Sequence, residues 1–124
     1  YGTFSQSDYF DHLAVTKSLI YLSDSESQGL AIQEAWARDV PTMIWDRGYF
    51  SHESYFWEAE KISCPYLDAS AGMTFRSSVD FADKFKEFWS KINSFAPRQF
   101  VIDNLSDEKC AKIFLSIINR RLLN

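Results

Sequence analysis

Apolar positions recur along the chain with two periods. From Asp8 to Val15, Tyr9, Phe10, Leu13 and Ala14 stand at helical spacing and predict a helix. It leads into Ser18 to Ser23 (SLIYLS), an apolar run of strand length. Gln28 to Asp39 (QGLAIQEAWARD) is rich in strong helix formers, with Ser27 placed to cap it. The Val40-Pro41 step stops it, because a residue before proline is pushed out of the α region. Pro41 to Asp46 (PTMIWD) predicts a second strand.

The alternation then loosens. His52 to Ile62 suits a helix and Pro65 to Asp68 a short strand. Val79 to Asn93 suits a helix capped by Ser78, with Val79, Ala82, Phe85, Phe88, Trp89 and Ile92 on one face. After a bend around Pro97, a last helix runs from Asp107 to Leu123. Ser106 is its cap, and Asp107, Glu108, Arg120 and Arg121 complement its dipole.

Strands alternating with helices predict an α/β fold, a three-layer Rossmann-like parallel sheet flanked by helices and ending in a long helix. Three strands alone leave open edges, so either Tyr1 to Ser5 adds a strand or further strands lie upstream. The chain reads as one domain, 1–124, in which residues 94–124 form a linker and a helix that packs back. The start at Tyr1 reads as a processed product or a piece of a longer chain.

Composition narrows the class. With 46% apolar and 17% aromatic residues among 124, the chain has material for one packed core, which argues against disorder. No apolar run approaches the roughly 20 residues that cross a bilayer, and no leader pattern opens the chain, so a cytoplasmic location is expected. Residues 1–50 carry Lys17, Arg38 and Arg47 against seven acids, and the net charge is -4. Nucleic acid is a poor partner for such a chain, which lacks the basic face that phosphate backbones demand. Cys64 and Cys110 show neither metal-ligand nor disulfide-framework spacing; both are expected to be reduced and in or near the core, and no metal is expected.

The informative stretch is Ser18 to Asp46, read as strand, loop (Asp24 to Gly29), helix and strand. In parallel α/β sheets, ligands bind beyond the carboxyl ends of the strands, where this loop lies. A helix starting near Gln28 or Gly29 offers unpaired amides and a partial positive charge, which suit a diphosphate, and glycine lets such a ligand approach closely. Glu26 stands before the helix and Glu34 about 9 Å farther along, at about 1.5 Å per residue. Each carboxylate can accept sugar hydroxyls. Arg47, at the end of the next strand, is the nearest candidate cation for the diphosphate.

Ser23, Glu26, Gly29, Leu30, Glu34, Ala35, Ala37, Val40 and Pro41 resemble the motif of two glutamates separated by seven residues in GT-B glycosyltransferases. The likeness is closest to the large retaining group that reads PSxxExxGLxxxEAxAxGxP, and it covers about 30 residues. Arg47-Gly48 resembles that family's turn after the following strand, and the C-terminal helix resembles the one that crosses toward the acceptor domain. The chain departs from the pattern at Leu22, where proline is usual, at Gln28, where an aromatic is common, and at Asp39, where glycine precedes Val40-Pro41.

The resemblance implies a donor-binding role. Glu26 would contact the hexose, the amides of Ser27, Gln28, Gly29 and Leu30 the sugar and diphosphate, and Glu34 the ribose. It implies a nucleoside diphosphate sugar as substrate, no separate cofactor, and an acceptor held by an N-terminal domain that this chain does not include. Alone, the chain is expected not to turn over. The alternative is a non-catalytic Rossmann or flavodoxin-like interaction module whose acids are surface residues. An open sheet edge and the last helix are surfaces on which a homodimer could form. His12 and His52, which could serve as a general base or donor-binding group, are read as structural or surface residues; the aromatics of Tyr49 to Trp57 could stack on a base or sugar but are read first as core or domain-interface packing, and those of Phe81 to Trp89 as core.

Overall fold

A computed structural model describes residues 5–122. The chain opens with α1 (Gln6–Ala14), β1 (Leu19–Leu22), α2 (Leu30–Ala37) and β2 (Thr42–Trp45). A hairpin of β3 (Tyr49–His52) and β4 (Tyr55–Glu58) follows, then β5 (Gly72–Phe75) and α3 (Ser78–Ser90). After a 3-10 turn at Ile92–Ser94 come α4 (Pro97–Asn104) and α5 (Asp107–Leu122).

The first four elements stand close to where the sequence pattern puts them. Strands β1, β2 and β5 form a parallel sheet in that order, with Leu19, Thr42 and Gly72 abreast. Successive side chains of a strand point to opposite faces, so the central strand feeds two cores. Ile44 packs with Ile32 and Trp36 of α2, while Met43 packs with Phe75 and with Phe88 of α3. Helices therefore cover both faces. The buried Trp36 indole donates to Thr42 Oγ1 at 3.0 Å and meets the Phe100 ring edge-on, which seats α4 on the same core.

The structure corrects several expectations. Residues 52–62 form the end of β3, the turn, β4 and the loop that follows rather than a helix. The aromatics that mimic a helical stripe pair instead across strands, with Phe50 opposite Trp57 and their rings 4.3 Å apart. Glu53, at φ 51°, makes the turn. Residues 65–68 are not a strand: Leu67 N–H bonds Cys64 O and Ala71 N–H bonds Asp68 O, so the proline and aspartate make turns and the third strand lies at Gly72–Phe75.

Smaller shifts follow from capping. Ser77, not Ser78, caps α3 in a reciprocal box with Asp80, which turns Val79 outward and puts Phe81, Phe85 and Phe88 on the packed side. Pro97 starts α4 rather than marking a bend, since its missing N–H costs nothing in a first turn. Ser106 accepts from the Lys109 amide at 3.4 Å, as expected of a cap, and α5 adjoins α4 while its side chains stay exposed along its length. Ser5 caps α1; the strand expected over Tyr1 to Ser5 otherwise lies outside the described residues.

Candidate functional site

Strand β1 ends at Leu22, and residues 23–29 turn the chain into α2 at the carboxyl end of the parallel sheet. The N-cap of α2 is Gly29, one to two residues later than Ser27 or Gln28 would place it. Gly29 is left-handed at φ 69° and buried. A side chain there would meet Glu26 Cγ and Ile32 Cδ1, each at 3.2 Å. Glycine thus allows the turn and lets Glu26 fold beneath it.

Glu26 is partly buried and held from two sides. Tyr21 donates its phenolic hydrogen to Oε2 at 2.9 Å, and the Ser27 amide donates to Oε1 at 3.0 Å. Burial opposes its ionisation, but the Tyr21 hydroxyl and the amides of Ser27, Gly29 and Gln28 outweigh it and hold the carboxyl below its ordinary range. Tyr21 moves the other way, raised by burial and then by its bond to Glu26.

Glu34 lies on the second turn of α2, partly buried, and accepts from Gln6 Nε2 of α1 at 2.7 Å. Tyr9 reaches over the same helix to Ala31 O at 2.6 Å; its hydroxyl is raised first by burial and then by the charge of Glu34. Ser27, Gln28 and Leu30 are exposed. The first amides of α2 have no partner within the helix, as at every helix start.

Arg47 does not join this group directly. Its guanidinium pairs with Asp24 at 2.9 Å and lies over the rings of Trp45 and Tyr49. Its Nε is, among the described residues, the buried side-chain polar atom without a hydrogen-bond partner. With Arg76 it borders a cavity of about 790 Å³ on the α3 side of the sheet, floored by Ile20, Leu22 and Trp45. This cavity exists because α3 covers β2 and β5 but leaves β1 bare, with Leu22 68% exposed. It lies on the sheet face opposite α2, and its apolar floor is suited to packing rather than to the chemistry of the two glutamates.

The segment after β4 stands beside the loop. The Glu26 amide donates to Ile62 O at 3.1 Å, and Ser63 Oγ donates to Ser23 O at 2.6 Å, so the segment after β4 is stitched to the loop. The stitching depends on Asp46, buried at the end of β2, which accepts from the amides of Gly48, Ile62 and Ser63. Trp57 and Lys61 are thereby brought next to Glu26, bordering one small cavity. The helix expected over residues 52–62 concealed that placement.

His12 is exposed on α1, and His52 is exposed on β3 near Phe50. Tyr55, Phe56 and Trp57 are exposed rather than core, whereas Phe88 is fully buried. Cys64 is buried and pushed by that burial to about 11, but Cys110 is exposed, contrary to a core position. Among the described residues no group of His, Cys, Asp and Glu could hold a metal, and no helix is long and apolar enough to cross a membrane. Compared with protein-family models, curated proteins and solved structures, the chain finds no match in any of the three.

Proposed function

We propose that this chain is the donor-binding part of a glycosyltransferase that moves a sugar from a nucleoside diphosphate sugar to an acceptor held elsewhere in the protein, with retention at the anomeric carbon. The observation that carries the reading is the placement of α2. Its N-terminus opens at the carboxyl end of a parallel strand, with Glu26 at its mouth and Glu34 on its second turn. In this reading Glu34 accepts the ribose hydroxyls and Glu26 those of the sugar, while Ser27 and Gln28 border the sugar.

Glu26 already engages the amides of Ser27, Gln28 and Gly29, so the diphosphate falls to the amides of Leu30 and the residues that follow. The helix dipole and these amides would stabilise the leaving diphosphate as charge develops on it. Arg47 acts on the diphosphate only if it leaves Asp24. The substrate brings no separate cofactor.

Calorimetric titration with UDP, GDP and ADP tests the proposal. One of the three should bind in the micromolar to millimolar range, and Glu34→Gln should weaken it roughly tenfold while leaving inorganic pyrophosphate unaffected. Indifference of all three nucleotides to Glu34, or no binding at millimolar concentration, contradicts it.

A second reading, a non-catalytic interaction module, is favoured by one observation. The bare β1 face and α5 expose Ile20, Leu22, Phe114 and Ile117. That reading requires indifference to nucleotides, so the same titration separates the two. The exposed faces are also where a homodimer would form.

A further inference from the structure

The small cavity beside the α2 loop has walls of unlike chemistry. Ser25, Glu26 and Ser27 form one side, and Trp57, Lys61 and Pro65 the other, around about 330 Å³. The two sides are fixed to each other by the Glu26-to-Ile62 and Ser63-to-Ser23 hydrogen bonds, so the cavity follows from the fold and not from the setting of one side chain.

Trp57 is held in place by its cross-strand partner. Phe50 stacks on it at 4.3 Å and 28°, yet the indole remains 48% exposed. Lys61 Nζ donates to Leu67 O at 2.5 Å, which uses one of the three ammonium hydrogens. Glu26, favoured in its ionised form, accepts from the Tyr21 hydroxyl and the Ser27 amide, with the Gln28 and Gly29 amides also turned toward it.

An exposed indole, an ionised carboxylate, two hydroxyl side chains and a lysine bordering one small cavity match a particular ligand. A pyranose has an apolar C–H face for the ring and a rim of hydroxyls for the carboxylate and serines. A phosphate on its anomeric carbon would meet the ammonium.

We propose that Trp57 is the stacking wall of the sugar subsite, with Glu26 accepting the sugar hydroxyls and Lys61 facing the sugar-linked phosphate. The inference rests on the donor-binding reading above and adds specificity to it: the hairpin β3–β4, and not α2 alone, selects the sugar.

The test is a titration of this chain and its variants with UDP, GDP and ADP, with UDP-glucose, GDP-mannose and ADP-glucose, and with glucose 1-phosphate, read as calorimetric affinities and, where Trp57 is present, by its indole N–H in NMR. One nucleotide sugar should bind roughly tenfold tighter than its own diphosphate. Trp57→Ala should erase that increment and leave the diphosphate unchanged, Trp57→Phe should keep part of it, and Lys61→Gln should weaken glucose 1-phosphate. Because Trp57 is half exposed on a hairpin, an unchanged amide spectrum elsewhere verifies that the variant is folded.

If a diphosphate binds at Glu34 but Trp57→Ala leaves the nucleotide sugar unaffected, the stacking wall is overturned and the donor reading stands. If glucose 1-phosphate moves Trp57 while no nucleotide binds, the sugar subsite stands and the donor reading fails. No response to any of the seven compounds overturns both.

Discussion

Tyr21 and Glu26 are joined by a hydrogen bond of 2.9 Å that ties the end of β1 to the loop opening the next helix. The bond holds the carboxylate under Gly29, where the amides of Ser27, Gly29 and Gln28 also favour its charge. Tyr21→Phe removes the donor and should cost about 1–2 kcal/mol at pH 7. The folded state depresses the Glu26 carboxyl, so its contribution is present above the ordinary glutamate value and is lost as pH falls through the lower folded one. Urea unfolding of wild type and Tyr21→Phe should therefore differ at neutral pH and converge in acid, once Glu26 is protonated in the folded state. An equal gap at both would show that the charge of Glu26 plays no part.

The buried pair Trp36 and Thr42 joins α2 to the central strand at 3.0 Å. Thr42→Val keeps the volume but strands the indole N–H in the core, for a loss of about 1–3 kcal/mol. Trp36→Phe combined with Thr42→Val should cost less than the sum of the two single changes, because the stranded donor is gone. Additive losses in denaturant midpoints would mean that the bond contributes nothing.

Gly72 lies against the neighbouring strand so closely that a Cβ would stand 2.0 Å from Thr42 O. Gly72→Ala must push β5 from β2 and should destabilise by about 2 kcal/mol or more, read by chemical denaturation. A neutral effect would show that the strands separate there without cost.

The two cysteines should differ sharply toward a thiol reagent. At neutral pH Cys110, exposed on α5, should react at once, whereas Cys64, buried and raised to about 11, should react only on unfolding. One fast equivalent in buffer and two in denaturant is the expected count; two fast equivalents would mean that the segment around Cys64 opens readily.

The part of the fold readable from sequence was the part where local chemistry and tertiary packing agree. SLIYLS, LAIQEAWA and PTMIW become β1, α2 and β2 because each has one period and a clear stop. Asp39, standing where the resembled motif has glycine, takes φ 63°, which aspartate tolerates better than most residues. The hairpin was hidden because Tyr49, Phe50, Tyr55, Phe56 and Trp57 satisfy both a helical and an alternating pattern, and its turn uses Glu53 without a glycine signal.

The site was legible only along α2. Glu26, Gly29 and Glu34 are close in sequence, so their spacing was informative. Lys61 and Trp57 reach Glu26 through Asp46 binding the amides of Ile62 and Ser63, a contact that spans 16 and 17 residues and leaves no local trace. The inward fold of the Glu26 carboxylate was equally hidden, since it depends on Tyr21 one element earlier.

The account turns on whether the start of α2 binds a nucleoside diphosphate. The most direct measurement is amide chemical-shift perturbation with UDP, GDP and ADP at millimolar concentration, in wild type and Glu34→Ala. The account predicts that one nucleotide shifts Gly29, Leu30 and Glu34 and that the substitution weakens the response. Shifts confined to the Ile20 and Leu22 face, or no shifts with any of the three, would contradict it.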